Sequence, residues 1–426
     1  MLNEKMRGTF YPSPSFGDFP ESEYARRLSA VRAAMEDKKV DVLVLWDEHN
    51  IRYFCGFNSQ HWSAKSIQPA VLILPLARNP VLIVPEFFRG MAEATSCVVD
   101  IRGQDRPHHI VSLRNLPREV ADVVVSLGYG QKRIGLEDGA VAGMYIPRPI
   151  SDIDVFRAQL PHAAFAPAAE IIWECRMVKS GYEIEALKTA CALTAEGFSE
   201  FVENFRLGMS EREAGTLLYT AIIRRGLQMG GMYFVGDPSR YPMIDSYPSF
   251  EGVPISRGSH LVIECGGTCK GYHGSVGRCL EIGSIAEEKW EFINAVEHGQ
   301  DAALATLRDG VASKEILAAA SEALAEKGFK PTGFVGHGIG LTGHEPPDLT
   351  DGQEMSIRKG MVLAIEVWIY DVKGITRGGR LNAAPGAGST NLGQFGMEEV
   401  VVVTENGYEM LPTLPRHIRH IPRDGT

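Results

Sequence analysis

One pattern constrains this chain more than any other. Gly197, Gly208 and Gly226 recur as Gly299, Gly310 and Gly328, each 102 positions on. The same offset carries Arg257-Gly258 onto Lys359-Gly360, and Leu261-Val262-Ile263-Glu264 onto Leu363-Ala364-Ile365-Glu366. Arg225-Gly226 and Lys327-Gly328 each put a glycine after a basic residue, a common end for a helix. One unit, two helices followed by strands, is thus written twice between Ser180 and the C-terminus. Two copies are too few for a solenoid. A duplicated unit packs about a pseudo-two-fold axis and makes its site where the halves meet.

The segment before the repeat reads differently. Helical periodicity over Glu21 to Asp37 is followed by a strand signal over Val40 to Trp46. Val71 to Leu76 and Val81 to Val84 flank Arg78-Asn79-Pro80 and read as a hairpin. Arg133 to Glu137 is a further short strand. These elements predict an α/β domain over residues 1–175, ahead of a second domain over 176–426. The length of 426 residues suits two cores better than one. The second domain starts sharply, because Ser180 with Glu183 is a capping box, and Ser210 with Glu213 is another. Between them Ile184, Leu187, Cys191, Thr194, Phe198 and Phe201 form one stripe of a helix.

Composition excludes several classes. With 44% apolar and 23% charged residues the chain is globular. A net charge of -10 without long runs of one sign argues against a nucleic-acid partner. No apolar run approaches the roughly 18 residues of a membrane span, and Met1 to Glu21 lacks the apolar centre of a signal peptide. The expected location is the cytoplasm. The seven cysteines are expected to be reduced thiols; Cys265, Cys269 and Cys279 lack the pattern of a metal site.

Candidate chemistry gathers on carboxylates and histidines. Glu264 and Glu366 each end an apolar strand, and burying a carboxylate is costly unless a cation or a donor network compensates. Their equivalent places in the repeat single them out. Glu398 and Glu399, before the Val400 to Val403 run, offer a third carboxylate. Gly336-His337-Gly338-Ile339-Gly340 and Gly343-His344-Glu345-Pro346-Pro347 place two histidines in a stretch whose glycines allow close approach.

Taken in order, these segments resemble the M24 family of methionine aminopeptidase, prolidase, aminopeptidase P, creatinase and ectoine hydrolase. Arg176-Met177-Val178-Lys179-Ser180 with Glu183 resembles the start of the family's catalytic domain. Gly336 to Pro347 resembles its two-histidine motif, Gly360 to Glu366 its first glutamate strand, and Glu398 to Gly407 its last. The resemblance implies a mixed α/β (α+β) fold: a creatinase-like N-terminal domain and a C-terminal pita-bread domain with an internal pseudo-two-fold repeat.

The family's metallopeptidases hold two metals with two aspartates, one histidine and two glutamates. His337, Glu366 and Glu398 match three of these. The two aspartates fall on Glu264 and on Ser275 in Gly271-Tyr272-His273-Gly274-Ser275. Tyr247 stands where the family has a histidine, and Gly396 where it has an arginine. A serine hydroxyl is a poor bridge between two cations. The changes resemble creatinase and ectoine hydrolase, which implies metal-independent cleavage of a C–N bond in a small cationic or zwitterionic metabolite. Gly271-Tyr272-His273 and Leu414-Pro415-Arg416 resemble ectoine hydrolase more than they resemble the peptidases.

The expected catalytic set is Glu264, His337, Glu366 and Glu398, with Tyr247, His344, Trp62, His273 and Gln68 binding substrate and no cofactor required. Clustered carboxylates repel, so at least one should keep its proton. Three alternatives stand beside this. One divalent metal ion on the same four residues would give an Xaa-Pro dipeptidase, or an osmolyte lyase. A non-catalytic small-molecule binder is the third. The resemblance also implies a homodimer in which the first domain borders the partner's site. The loop from Phe57 to Pro69, with His61, Trp62, Lys65 and Gln68, fits that role.

Overall fold

The computed structural model describes residues 15–63, 70–104, 115–139, 144–229, 234–236, 254–330, 333–371, 379–381 and 392–420. It divides into two compact units, Met1–Arg176 and Met177–Thr426. Tyr247 and Gln68 lie outside the described residues, as does Lys65.

In the first unit the helices are α1 (Glu21–Asp37), α2 (Glu48–Cys55), α3 (Arg89–Thr95), α4 (Leu116–Ser126), α5 (Ile150–Ala158) and α6 (Ala169–Met177). The strands are β1 (Val42–Leu45), β2 (Val71–Pro75), β3 (Val81–Pro85), β4 (Asp100–Gln104), β5 (Arg133–Leu136) and β6 (Ala164–Pro167). They make one sheet in the order β4-β3-β2-β1-β5-β6. β2 and β3 pair antiparallel as the hairpin expected around Asn79-Pro80, while β1, β5 and β6 run parallel. Val42, Val44, Ile73 and Ile83 pack from the sheet against Val120 and Val124 of α4 and Phe156 of α5. Trp62 lies in a short 3-10 turn, Gln60–Ser63, with its ring edge-on to Phe57 at 6.3 Å. Its side chain is partly buried.

The second unit carries α7 (Gly181–Asn204), α8 (Glu211–Ile223), α9 (Glu287–Thr306) and α10 (Ser313–Glu326). Its strands are β7 (Gln228–Met229), β8 (Phe234–Gly236), β9 (His260–Cys265), β10 (Gly267–Cys269), β11 (Tyr272–His273) and β12 (Val276–Ile282). They continue with β13 (Phe334–Gly338), β14 (Glu345–Thr350), β15 (Val362–Asp371), β16 (Gly393–Val403), β17 (Tyr408–Met410) and β18 (Ile418–His420). The main sheet runs β14-β13-β15-β16-β12-β9-β8.

The duplication is physical as well as textual. Gly197 of α7 sits under Ile222 of α8, where a Cβ would fall 2.8 Å from the isoleucine side chain; Gly299 of α9 sits under Leu324 of α10, at 3.2 Å. Both glycines let a helix pair close up. Gly208 and Gly310 have φ of 85° and 80°, in the left-handed region that favours glycine. Their amides donate to the Ile255 and Ile357 carbonyls, again one repeat apart. Both predicted capping boxes form, with Ser180 and Ser210 hydroxyls accepting from the Glu183 and Glu213 amides.

Candidate active site

Three carboxylates share one transverse row of the main sheet. Glu366 of β15 lies directly opposite Glu398 of β16, Glu398 opposite Gly277 of β12, and Gly277 opposite Glu264 of β9. Residues directly opposite in an antiparallel pair project to the same face. Glu366, Glu398 and Glu264 therefore stand on one face, with Gly277 leaving a gap between the last two. Glu264 and Glu366 occupy the outer places of the row, as their positions in the repeat require.

The row explains why the adjacent Glu398 and Glu399 are both buried. Successive strand residues alternate faces, so Glu398 joins the row while Glu399 points away and pairs with Arg278 Nη2 at 2.9 Å. Arg278 also donates to the Glu398 and Leu414 carbonyls, tying the C-terminal segment to the sheet.

His337 reaches the row from β13. It pairs in register with Ala364, two residues before Glu366, and its Nε2 lies 3.2 Å from Glu366 Oε1. Its Nδ1 lies 2.8 Å from the Gly338 carbonyl. The flanking glycines serve backbone approach here. A Cβ on Gly336 would fall 2.2 Å from the Ala364 oxygen, and one on Gly338 would fall 2.4 Å from the Pro346 oxygen. His344 stacks on His337 with ring centroids 3.9 Å apart, and its Nε2 meets Asp348 Oδ1 at 2.7 Å. It is exposed while His337 is buried. His273, half-buried on β11, donates its amide to the Gly340 carbonyl, so it lies against the same loop.

Two further residues complete the cluster. Ser275 Oγ donates to Glu398 Oε2 at 2.7 Å. Trp368 Nε1 donates to Glu366 Oε2 at 2.7 Å. Sequence reading did not single out Trp368, because a tryptophan in an apolar strand reads as core. The available signal was its spacing: two residues after Glu366 puts it on the same face.

The electrostatics follow from this packing. Burial, then the Glu366 carboxylate opposite, push Glu398 up to about 7 against the opposing pull of His337, Ser275 and Arg278. Burial disfavours a charge on His337, but Glu366 beside it, Glu398 and the Gly338 carbonyl outweigh that and raise it to about 9. The cluster thus favours an imidazolium at His337 and holds the Glu398 carboxyl to its proton well above the usual carboxylate range.

A pair of bridging cations does not fit this donor set. Both Glu366 oxygens and one Glu398 oxygen already accept from His337, Trp368 and Ser275. Ser275 brings no negative charge. Among the described residues, no group of three or more His, Cys, Asp and Glu side chains is arranged to hold a metal ion.

Comparison with known proteins places the chain. Residues 185–405 match metallopeptidase family M24, and residues 27–178 match the creatinase/prolidase N-terminal domain. The chain is 25% identical to the probable dipeptidase PepE of Mycobacterium tuberculosis over 95% of its own length and 98% of that protein. It is 26% identical to the ectoine hydrolase of Halomonas elongata, over 94% and 98%. The fold matches the crystal structure of an X-Pro aminopeptidase from Thermotoga maritima with a TM-score of 0.73 at 23% identity, covering 92% of this chain and 99% of that one.

Proposed function

The chain belongs to metallopeptidase family M24, and from that premise we propose a hydrolase that cleaves a C–N bond in a small nitrogenous metabolite without a two-metal centre. The observation that carries this reading is the protein's own donors on Glu366 and Glu398, where bridging cations would otherwise bind. Three carboxylates on one face favour a substrate bearing an ammonium, amidine or guanidinium group, as in ectoine-, creatine- or betaine-like compounds.

The step balances with groups already present. Water adds to the carbon of the C–N bond while the ionised form of Glu398 takes its proton. Glu398 then gives that proton to the leaving nitrogen as the C–N bond breaks, while the His337 imidazolium stays bonded to Glu366 and the Gly338 carbonyl. A carboxyl raised toward neutrality suits such transfer, taking a proton in one step and giving it up in the next. Glu264, across Gly277 from Glu398, faces the substrate's cationic group or shares the work of the base. Tyr247, His344, His273, Trp62 and Gln68 remain proposed substrate contacts.

Relatives named as dipeptidases favour a second reading, a peptidase of Xaa-Pro type using one metal ion held by Glu264, His337, Glu366 and Glu398. Turnover of ectoines, creatine-like guanidines and Xaa-Pro dipeptides, with and without chelator, separates the two. Chelator-resistant cleavage of a non-peptide supports the first reading; chelator-sensitive cleavage of dipeptides alone replaces it with the second. A homodimer in the cytoplasm is part of the proposal, and sedimentation velocity tests the dimer.

A further inference from the structure

We propose that Trp368 is a positioning residue of this site: seated on two glycines, its indole N–H holds Glu366 against His337, so that Glu366 orients the histidine and does not itself exchange protons with substrate. This rests on reading the site as a hydrolase centre.

The seat is the first observation. Trp368 lies directly opposite Gly396 in register. A Cβ on Gly396 would fall 1.9 Å from Cε3 and 2.2 Å from Cδ2 of the indole. A Cβ on Gly277 would fall 3.2 Å from Cζ2. The ring therefore lies across two strands, over two positions without side chains, on the face that carries the glutamate row. Any side chain at Gly396 would occupy the ring's own volume.

The second observation is where the seated ring points. Its only polar atom, Nε1, meets Glu366 Oε2 at 2.7 Å, within the range of a charge-assisted bond. His337 Nε2 takes the other oxygen at 3.2 Å, and His337 Nδ1 is held by the Gly338 carbonyl at 2.8 Å. The carboxylate is thus gripped from both sides. Turning it toward a substrate proton would break one bond and leave a buried indole N–H without its acceptor. Among the described residues, Glu398 accepts one side-chain hydrogen bond, from the Ser275 hydroxyl on Oε2. Proton transfer consequently falls to Glu398, with Glu366 on Nε2 and the Gly338 carbonyl on Nδ1 fixing the imidazole in place.

A buried tryptophan that merely fills the core would also find a partner for its N–H, so the test must separate filling from positioning. The first measurement is the indole region of a 1H–15N spectrum of the full chain, whose five tryptophans give five cross-peaks. Trp368→Phe identifies its peak, or Trp368→Tyr if the phenylalanine variant does not fold. The expected result is a downfield, slowly exchanging Trp368 proton whose position moves in Glu366→Gln. A fast-exchanging proton, or one indifferent to Glu366→Gln, overturns the contact. This arm needs no substrate, so it stands even if the hydrolase reading fails. The second measurement uses the substrate found by the turnover panel. Trp368→Phe keeps a ring on the glycines and removes the N–H; it should lower kcat roughly ten- to a hundredfold with KM within about threefold. An unchanged kcat, or a loss confined to KM, overturns the positioning role.

Discussion

Glu366 and Glu398 face each other across neighbouring antiparallel strands, and both are buried, at 7% and 2% exposure. Like charges directly opposite in a sheet are destabilising, so this pair makes the fold sensitive to pH. Glu398 rises from its ordinary 4.5 to about 7, and His337 from 6.5 to about 9. A group whose pKa is raised on folding stabilises the native state below its unfolded pKa and loses that contribution as pH climbs through the folded one. Both groups therefore lower stability with rising pH, Glu398 between about 4.5 and 7 and His337 between about 6.5 and 9. The melting temperature should fall from pH 5 to pH 9. In Glu398→Gln the fall between pH 5 and 7 should be shallower. An equal slope in variant and wild type by thermal melts would contradict the assignment.

Metal uptake tests the same pair of residues from outside. Protein incubated with manganese or zinc and then dialysed should retain at most one ion per chain by elemental analysis. Ser275 offers a hydroxyl where a second bridging carboxylate would be needed. Two ions per chain would refute the absence of a dinuclear centre.

The seat of Trp368 predicts a stability effect at a residue with no side chain. Gly396→Ala places a methyl 1.9 Å from the indole, so the ring must leave or the strands must part. Overpacking of this kind costs about 1–3 kcal/mol, and the Trp368 indole resonance should move. Gly352→Ala is a poor control, because its φ of 79° is itself strained for alanine. Gly181→Ala, with nothing near its Cβ position, is a better one and should leave the melting temperature nearly unchanged.

These sites differ in how legible they were. The repeat exposed Glu264 and Glu366, because a fixed offset survives whatever the strands do in space. The capping boxes of Ser180 and Ser210 were readable because their partners lie three residues away. Residue chemistry alone does not separate Glu398 from Glu399; the family resemblance picks Glu398, and the register gives the physical reason, with Glu398 on the row and Glu399 on Arg278. Trp368 was hidden for a related reason: its role depends on Gly396 and Gly277, residues of two other strands. What stayed out of reach was long-range pairing, while local chemistry and periodicity were readable.

Glu264→Gln keeps the shape of the side chain and removes its charge. Glu264 is only partly buried at the edge of the row, so the fold should tolerate the change within about 1 kcal/mol. On the proposed mechanism turnover should drop by roughly a hundredfold or more. Near-normal kcat/KM in this variant would remove Glu264 from the mechanism and leave Glu398 as the sole base.

The last prediction concerns a pair that sequence motifs placed far apart. Lys179, from the start of the second unit, meets Glu345 of the His-Glu-Pro-Pro segment with Nζ–Oε2 3.3 Å, and each side chain is only 1% exposed. Glu345 Oε1 also accepts the Thr342 amide at 3.2 Å, which pins the loop that stacks His344 on His337. The backbone holds the lysine in place too, since its amide donates to the Gly360 carbonyl. Removing one partner of a buried ion pair strands the other charge and costs about 3–5 kcal/mol. Lys179→Met should therefore unfold at markedly lower temperature than wild type. The double variant Lys179→Met with Glu345→Gln should recover much of the loss, because no charge is then left buried alone. If the double variant melts as low as the single one, the cost lies in lost packing of the lysine stem and not in the stranded carboxylate.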